Sequence, residues 1–159
     1  MKAKNFVVAA GGRPRDYPGI PDLAKHAITS DDLFSLKNDP GKTLVIGGGY
    51  IAIECAGFLN GLGKDVTIIN RSVFLRVMDK DMAFRIVDDM EMHGVQALKK
   101  TVPVSIEKKG EKYSVVLEVD GNLKTFEYDT ILMAIGRDPA PERIGLDKIG
   151  INLARSGKV

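Results

Sequence analysis

An α/β fold built on a parallel sheet is what this 159-residue sequence predicts, on three observations. Short apolar runs alternate with stretches of helical spacing between Lys42 and Lys100, and two of those runs, TLVI and VTII, are continuous rather than alternating. Continuous apolar strands are buried on both faces, which requires layers above and below them. The triplet Gly47-Gly48-Gly49 stands between the first of these runs and the helix after it. Beyond Thr101 the apolar period shortens to two, the mark of antiparallel strands.

Taken in order, NFVVAA (5–10) reads as a buried strand ending at Gly11-Gly12. RPRDYPGIPD, with three prolines and a glycine in ten residues, reads as a linker. TSDDLFSL reads as a short helix capped by Thr29 or Ser30, with acids in its first turn. KTLVIGGG is a strand entering glycines, and YIAIECAGFLNGLG a helix with Ile51, Cys55, Phe58, Leu59 and Leu62 at helical spacing. Gly63 falls where a left-handed C-terminal cap belongs. DVTIIN is the second strand. DKDMAFRIVDDMEMHG is the second helix, with Asp79 as its cap, Met82, Ala83, Ile86, Val87 and Met90 as its inner stripe, and Gly94 as its stop. VQALKK is a third strand. The segment from Val102 to Asp129 holds three β-type runs separated by KKGE and DGN, an antiparallel meander inserted where a helix would ordinarily cross over. TILMAIG closes the sheet. The expected architecture is a Rossmann-like parallel sheet with two helices and an inserted three-stranded antiparallel β-meander.

Composition excludes several classes. With 44% hydrophobic and 28% charged residues the chain suits one soluble globular domain. Twenty-three basic residues against 21 acidic ones are interspersed, without the clustering that nucleic-acid binding needs. No apolar run approaches the roughly 18 residues of a spanning helix, so no membrane partner is expected. The single Cys55 forms no internal disulfide, which fits a reducing compartment and a cytoplasmic location.

Gly47-Gly48-Gly49-Tyr50-Ile51-Ala52 fits G-x-G-x-x-G/A, with Gly47, Gly49 and Ala52 at the key positions. Gly47 allows the tight turn, Gly49 leaves room for a pyrophosphate, and Ala52 lets helix and strand lie close. The helix amides and the positive end of its dipole would face the phosphates; a strand–helix turn without ligand is the plainer alternative. A site that reads NAD usually carries an acid at the end of the second strand, to accept from the ribose 2′-hydroxyl. Here that neighbourhood holds Ile69 and Asn70, followed by Arg71 and, five residues later, Arg76. Two guanidiniums suit a 2′-phosphate and so point to NADPH, unless both are ordinary surface arginines.

GGGYIAIECAGFLNGLGKDVTIINRSVFLR, with DKDM and AIGRDP, resembles the NADPH domain of the flavoprotein disulfide reductases, and TSDDLFSL with ECAGF resembles most the large, glutathione-reductase-like thioredoxin reductases. Glutathione reductase is a close neighbour, the NAD-linked lipoamide dehydrogenases a further one that the two arginines disfavour. A free-standing, non-catalytic nucleotide-binding module is the rival from another class. FVVAAGGRPRDYPGIP is similar to the stretch where the family's FAD domain hands over to the NADPH domain, with Ala10 in place of the usual threonine, and AIGRDPAPERIGLDKIGI to the return crossing. The resemblance therefore implies the middle of a larger enzyme. Residues 1–40 would be the end of the FAD domain, linker and short helix, 41–136 the NADPH-binding domain, and 137–159 the return segment. The family's Cys-x4-Cys redox pair and catalytic His-Glu pair have no counterpart here, so no catalytic residue is assigned.

The resemblance also implies roles. Tyr50 would be the aromatic lid over the flavin and Ile51 would line the same pocket. Glu54 would sit near the nicotinamide amide, exposed or differently partnered in this chain. Gly136 and Arg137, in AIGRDP, would contact the cofactor, with neutralisation of the sheet end as the alternative for Arg137. The intact protein would pass hydride from NADPH to FAD and electrons to thioredoxin or glutathione as a homodimer, while this segment alone would bind NADPH without turnover. Plainer roles suit other residues. Cys55, Met82 and Met90 read as core filler, His93 as a helix-end cap, and Gly57 as a close-packing position. Lys108 and Lys109 form a solvated corner. Asp88, Asp89 and Glu91 are a wet helix face without metal spacing.

Overall fold

A computed structural model describes residues 2–158, so the terminal Met1 and Val159 of the expected segments lie outside the described residues. Two compact units are present, one of residues 16–136 and a smaller one in which residues 2–15 join residues 137–158. In the smaller unit β1 (Gly12–Pro14) pairs antiparallel with β10 (Arg137–Pro139), Arg13 opposite Asp138. Two 3-10 turns, Pro141–Ile144 and Leu146–Ile149, follow. Arg15 reaches across this ribbon with a two-pronged hydrogen bond to the Asp138 carboxylate, and Arg137 donates to the Gly12 carbonyl at 2.6 Å.

The larger unit opens with α1 (Pro21–His26), β2 (Ile28–Thr29) and α2 (Ser30–Leu33). A capping box starts α2: Thr29 Oγ1 accepts from the Asp31 amide at 3.3 Å, and Asp32 accepts from the Thr29 amide at 2.8 Å. Then come β3 (Thr43–Ile46), α3 (Tyr50–Gly61), β4 (Val66–Ile69), α4 (Lys80–Met92) and β5 (Gln96–Leu98). The meander is β6 (Thr101–Lys109), β7 (Lys112–Val119) and β8 (Asn122–Tyr128), and β9 (Thr130–Met133) completes the sheet. Five parallel strands stand in the order β2-β9-β3-β4-β5, with Ile46 in register with Ile69 on one side and Met133 on the other.

Both sheet faces are covered, which is why β3 and β4 are apolar throughout. Val45, Ile68 and Leu132 pack with Leu33, Ala52, Cys55, Leu59, Val87 and Met90 under the helices. Leu44, Ile46, Ile69, Ile131 and Met133 face the other way, onto Leu23 of α1 and Val115, Leu117 and Tyr128 of the meander. The meander thus supplies the second layer. Gly63, at φ +74°, ends α3 with paired bonds, its own amide to Asn60 and the Lys64 amide to Leu59. Asp79 caps α4 by accepting from the Met82 amide at 3.1 Å.

Several expectations need correction. NFVVAA is not a strand. It pairs with nothing among the described residues, and Phe6 and Val7 are 72% and 90% exposed; a buried parallel strand needs neighbours it does not have here. The stretch read as a linker contains Arg13 and Pro14 of β1 and the start of α1, for which Pro21 supplies an N-terminal proline. The inner stripe of α4 is Ala83, Val87 and Met90, whereas Met82 and Ile86 are exposed. On α3 the buried set is Ala52, Cys55, Ala56 and Leu59, with Phe58 and Leu62 at the surface. Gly57 is exposed, with open space where a Cβ would stand, so Ala52 and Ala56 make the close approach instead.

Candidate functional site

The chain runs outward from β3 through β4 to β5, crosses by the meander, and returns at β9 on the far side of β3. The strand order therefore reverses between β3 and β9, and ligands of such sheets bind at the carboxyl ends beside that reversal. Gly47-Gly48-Gly49 leaves β3 at this point. Gly47, at φ +147°, donates to the Ile69 carbonyl at 3.0 Å, and a Cβ on it would strike the Ala134 carbonyl just past β9. That same Cβ would stand 3.3 Å from the Ala52 side chain, so the loop, the first turn of α3 and the end of β9 meet with no space left.

Gly49 differs. It is the N-cap of α3, gives its amides no side-chain cap, and has nothing within 4 Å of where a Cβ would be. The first-turn amides of a helix have no partner inside it, so this end offers uncapped donors and a positive dipole onto open space. An anionic group such as a pyrophosphate fits here. Tyr50 is the first helical residue and is exposed, Ile51 is half-buried against the helix-side core, and Ala52 is fully buried. Glu54 is exposed and in no ion pair among the described residues.

At the end of β4 there is no carboxylate. Asn70 is buried, and Arg71 and Arg76 project from the loop that follows, both exposed and without an ion pair among the described residues. Asp79, the next acid, is committed to the cap of α4. Gly136 ends the larger unit, while Arg137 begins the smaller one and bonds to Gly12. Cys55 lies inside, where burial first and the neighbouring Glu54 charge second push its thiol up. His93 closes α4 with its ring Nδ1 2.8 Å from the Asp89 carbonyl. Among the described residues no cluster of His, Cys, Asp and Glu is placed to hold a metal, and no helix is long and apolar enough to cross a membrane.

Sequence reasoning missed Gly48 and Leu75. A Cβ on Gly48 would collide with the Asn70 carboxamide, and the Leu75 amide donates to the Gly48 carbonyl at 2.7 Å. The only trace of this in the sequence is that the variable position of the motif is itself a glycine.

Fold and loop together define a Rossmann-like α/β protein whose glycine loop sits at the switch point of its sheet. The profile of the family described as Pyridine nucleotide-disulphide oxidoreductase matches residues 1–159, and the chain belongs to that family. It is similar to a protein named thioredoxin reductase SEP1 from Emiliania huxleyi, 46% identical over 161 residues. That match takes in all of this chain and 32% of the relative, so the chain spans about a third of the relative's length.

Proposed function

We propose that this chain is the NADPH-binding segment of a flavoprotein disulfide reductase of the thioredoxin reductase kind. The observation that carries the reading is the end of β4: an uncharged Asn70, followed by two exposed arginines without carboxylate partners among the described residues, beside an open glycine loop. The name of the 46% identical relative supports the choice of branch. When bound, NADPH supplies the hydride that the flavin of the intact enzyme accepts.

The roles of the residues follow from their chemistry. Amides at the start of α3 bind the pyrophosphate where Gly49 leaves room, and the dipole of a twelve-residue helix adds to their attraction. Gly47 and Ala52 hold loop and helix in the one arrangement that aims those amides. Arg71 and Arg76 bind the 2′-phosphate, which an acid would repel. Tyr50 covers the flavin side of the nicotinamide pocket with Ile51 beside it, Glu54 accepts from the nicotinamide carboxamide, and Gly136 and Arg137 contact cofactor at the exit. Residues 41–136 would form the nucleotide-binding domain, with 1–40 and 137–159 leading from and to the FAD domain. In the intact protein, a cytoplasmic homodimer, the disulfide of thioredoxin would be the final acceptor, and this segment alone would bind NADPH but turn nothing over.

Calorimetric titration of the full chain with NADP⁺ and NAD⁺ tests the reading. Charge-assisted hydrogen bonds contribute roughly 1.5–3 kcal/mol each. Two arginines then favour NADP⁺ by about 100-fold or more, and Arg71→Ala or Arg76→Ala each removes about tenfold of that preference. Equal binding of the two nucleotides, or a preference that survives both substitutions, overturns it.

A further inference from the structure

The nucleotide reading leaves one buried polar group unexplained. Asn70 is 7% exposed, and its Nδ2 lies fully inside without a hydrogen-bond partner among the described residues. A buried amide donor left unpaired is costly and calls for a reason. The rest of the residue is held tightly. Its backbone amide donates to the Leu98 carbonyl at 3.1 Å, its carbonyl accepts from the Thr101 amide at 2.9 Å, and its Oδ1 accepts from the Ser72 amide at 3.0 Å. The carboxamide is thereby pinned beneath Gly48, so close that no side chain fits between them.

Gly48 is also tied to the far end of the same loop, through the 2.7 Å bond from the Leu75 amide. Leu75 is buried and holds φ +50°, a left-handed conformation that a leucine keeps only where its surroundings impose it. So Gly48 meets the β4–α4 loop twice, at Asn70 and at Leu75. Each of these two anchors is followed immediately by one of the two arginines, Arg71 after Asn70 and Arg76 after Leu75.

We propose that Asn70 is a specificity-determining positioning residue: its carboxamide, wedged under Gly48, couples the glycine loop to the loop bearing Arg71 and Arg76, and its neutrality keeps both arginines free for a 2′-phosphate. The second half rests on the nucleotide reading above; the first stands without it. Asparagine suits the position as aspartate would not. Aspartate keeps the Oδ1 bond to Ser72 but replaces Nδ2 by a charged oxygen, one residue before Arg71 and at the strand end where an acid suits a 2′-hydroxyl rather than a 2′-phosphate. Alanine removes the Ser72 bond and the wedge together.

Amide hydrogen exchange on the unliganded chain tests the coupling, and nucleotide titration tests the selectivity. In Asn70→Ala the Ser72 and Leu75 amides are expected to exchange at least about tenfold faster while those of β3 and β4 do not change. Unchanged Leu75 exchange overturns the coupling whatever the chain binds. In Asn70→Asp, which preserves size, the ratio of NADP⁺ to NAD⁺ affinity is expected to fall by about tenfold or more, alongside a melting temperature lowered by the buried charge. A lower melting temperature with an unchanged ratio marks a merely structural residue and overturns the selectivity. If Asn70→Ala does not fold, Leu75 exchange in Gly48→Ala decides the coupling instead. Wild-type chain that binds neither nucleotide, with Leu75 exchange still raised in the variant, supports the coupling while overturning the proposed function.

Discussion

Gly47 stands against the carbonyl oxygen of Ala134 with no room for a methyl group between them. The contact joins the end of β3 to the end of β9 and fixes the switch-point crevice, because the Ala134 amide also donates to Ile46 at 2.8 Å. Gly47→Ala meets two penalties, a clash with backbone and a φ of +147° that side chains avoid. The expected cost is about 2–4 kcal/mol of folding stability, measured by urea unfolding. A loss under ~1 kcal/mol would show that the strand ends part easily and that the crevice is not rigid.

Gly49 separates stability from binding. Open space surrounds its missing side chain, and its φ of −87° suits any residue, so Gly49→Ala should change stability by less than about 1 kcal/mol. If a pyrophosphate lies against it, the same substitution weakens NADP⁺ by about tenfold or more. Gly57→Ala, also facing open space but in the middle of α3, is the control. It should gain roughly 0.5–1 kcal/mol from helix propensity and leave titration unchanged. A Gly49→Ala chain that binds like wild type would place the phosphates elsewhere.

What the sequence disclosed here was local. The glycine loop, the cap by Asp79, the left-handed stop at Gly63 and the period-two meander each lie within a few neighbouring residues, and each has the expected form. What it hid depends on partners far along the chain. β1 exists because Arg13 faces Asp138, and β2 because Thr29 faces Met133. Periodicity alone could not tell that Met82 and Ile86 lie outside the stripe of Ala83, Val87 and Met90, since all five are apolar and share one broad side of α4. The candidate site divided in the same way. Its glycines and arginines were legible as a motif, whereas the wedge of Asn70 under Gly48 arises only once β4 lies beside β3.

Cys55 provides a test of the core. Buried on α3, with its thiol pushed up by its surroundings, it should react with iodoacetamide at pH 8 at least about 100-fold more slowly in the folded chain than in urea. Cys55→Ala should cost about 1 kcal/mol, and Cys55→Ser about 1–3 kcal/mol because its hydroxyl enters an apolar cluster. Native labelling as fast as unfolded labelling would mean that α3 opens readily from the sheet.

The ribbon of the smaller unit should respond to acid. The Arg15 guanidinium, chiefly by its hydrogen bond to the carboxylate, holds Asp138 below the usual carboxylate range. Because the folded value is the lower one, the pair's contribution is present above the unfolded value of about 3.9 and is lost as pH falls through the folded value. Arg15 stays charged throughout, so the carboxyl alone sets the window. Amide exchange across β1 and β10, compared between wild type and Asp138→Asn at each pH, removes the intrinsic pH dependence of exchange. Wild type should be the better protected at pH 5–7, the advantage should shrink below about pH 4, and it should vanish once Asp138 is protonated in the folded ribbon. An advantage that persists undiminished to pH 2 would mean that pairing of β1 with β10 holds the ribbon without help from the charge.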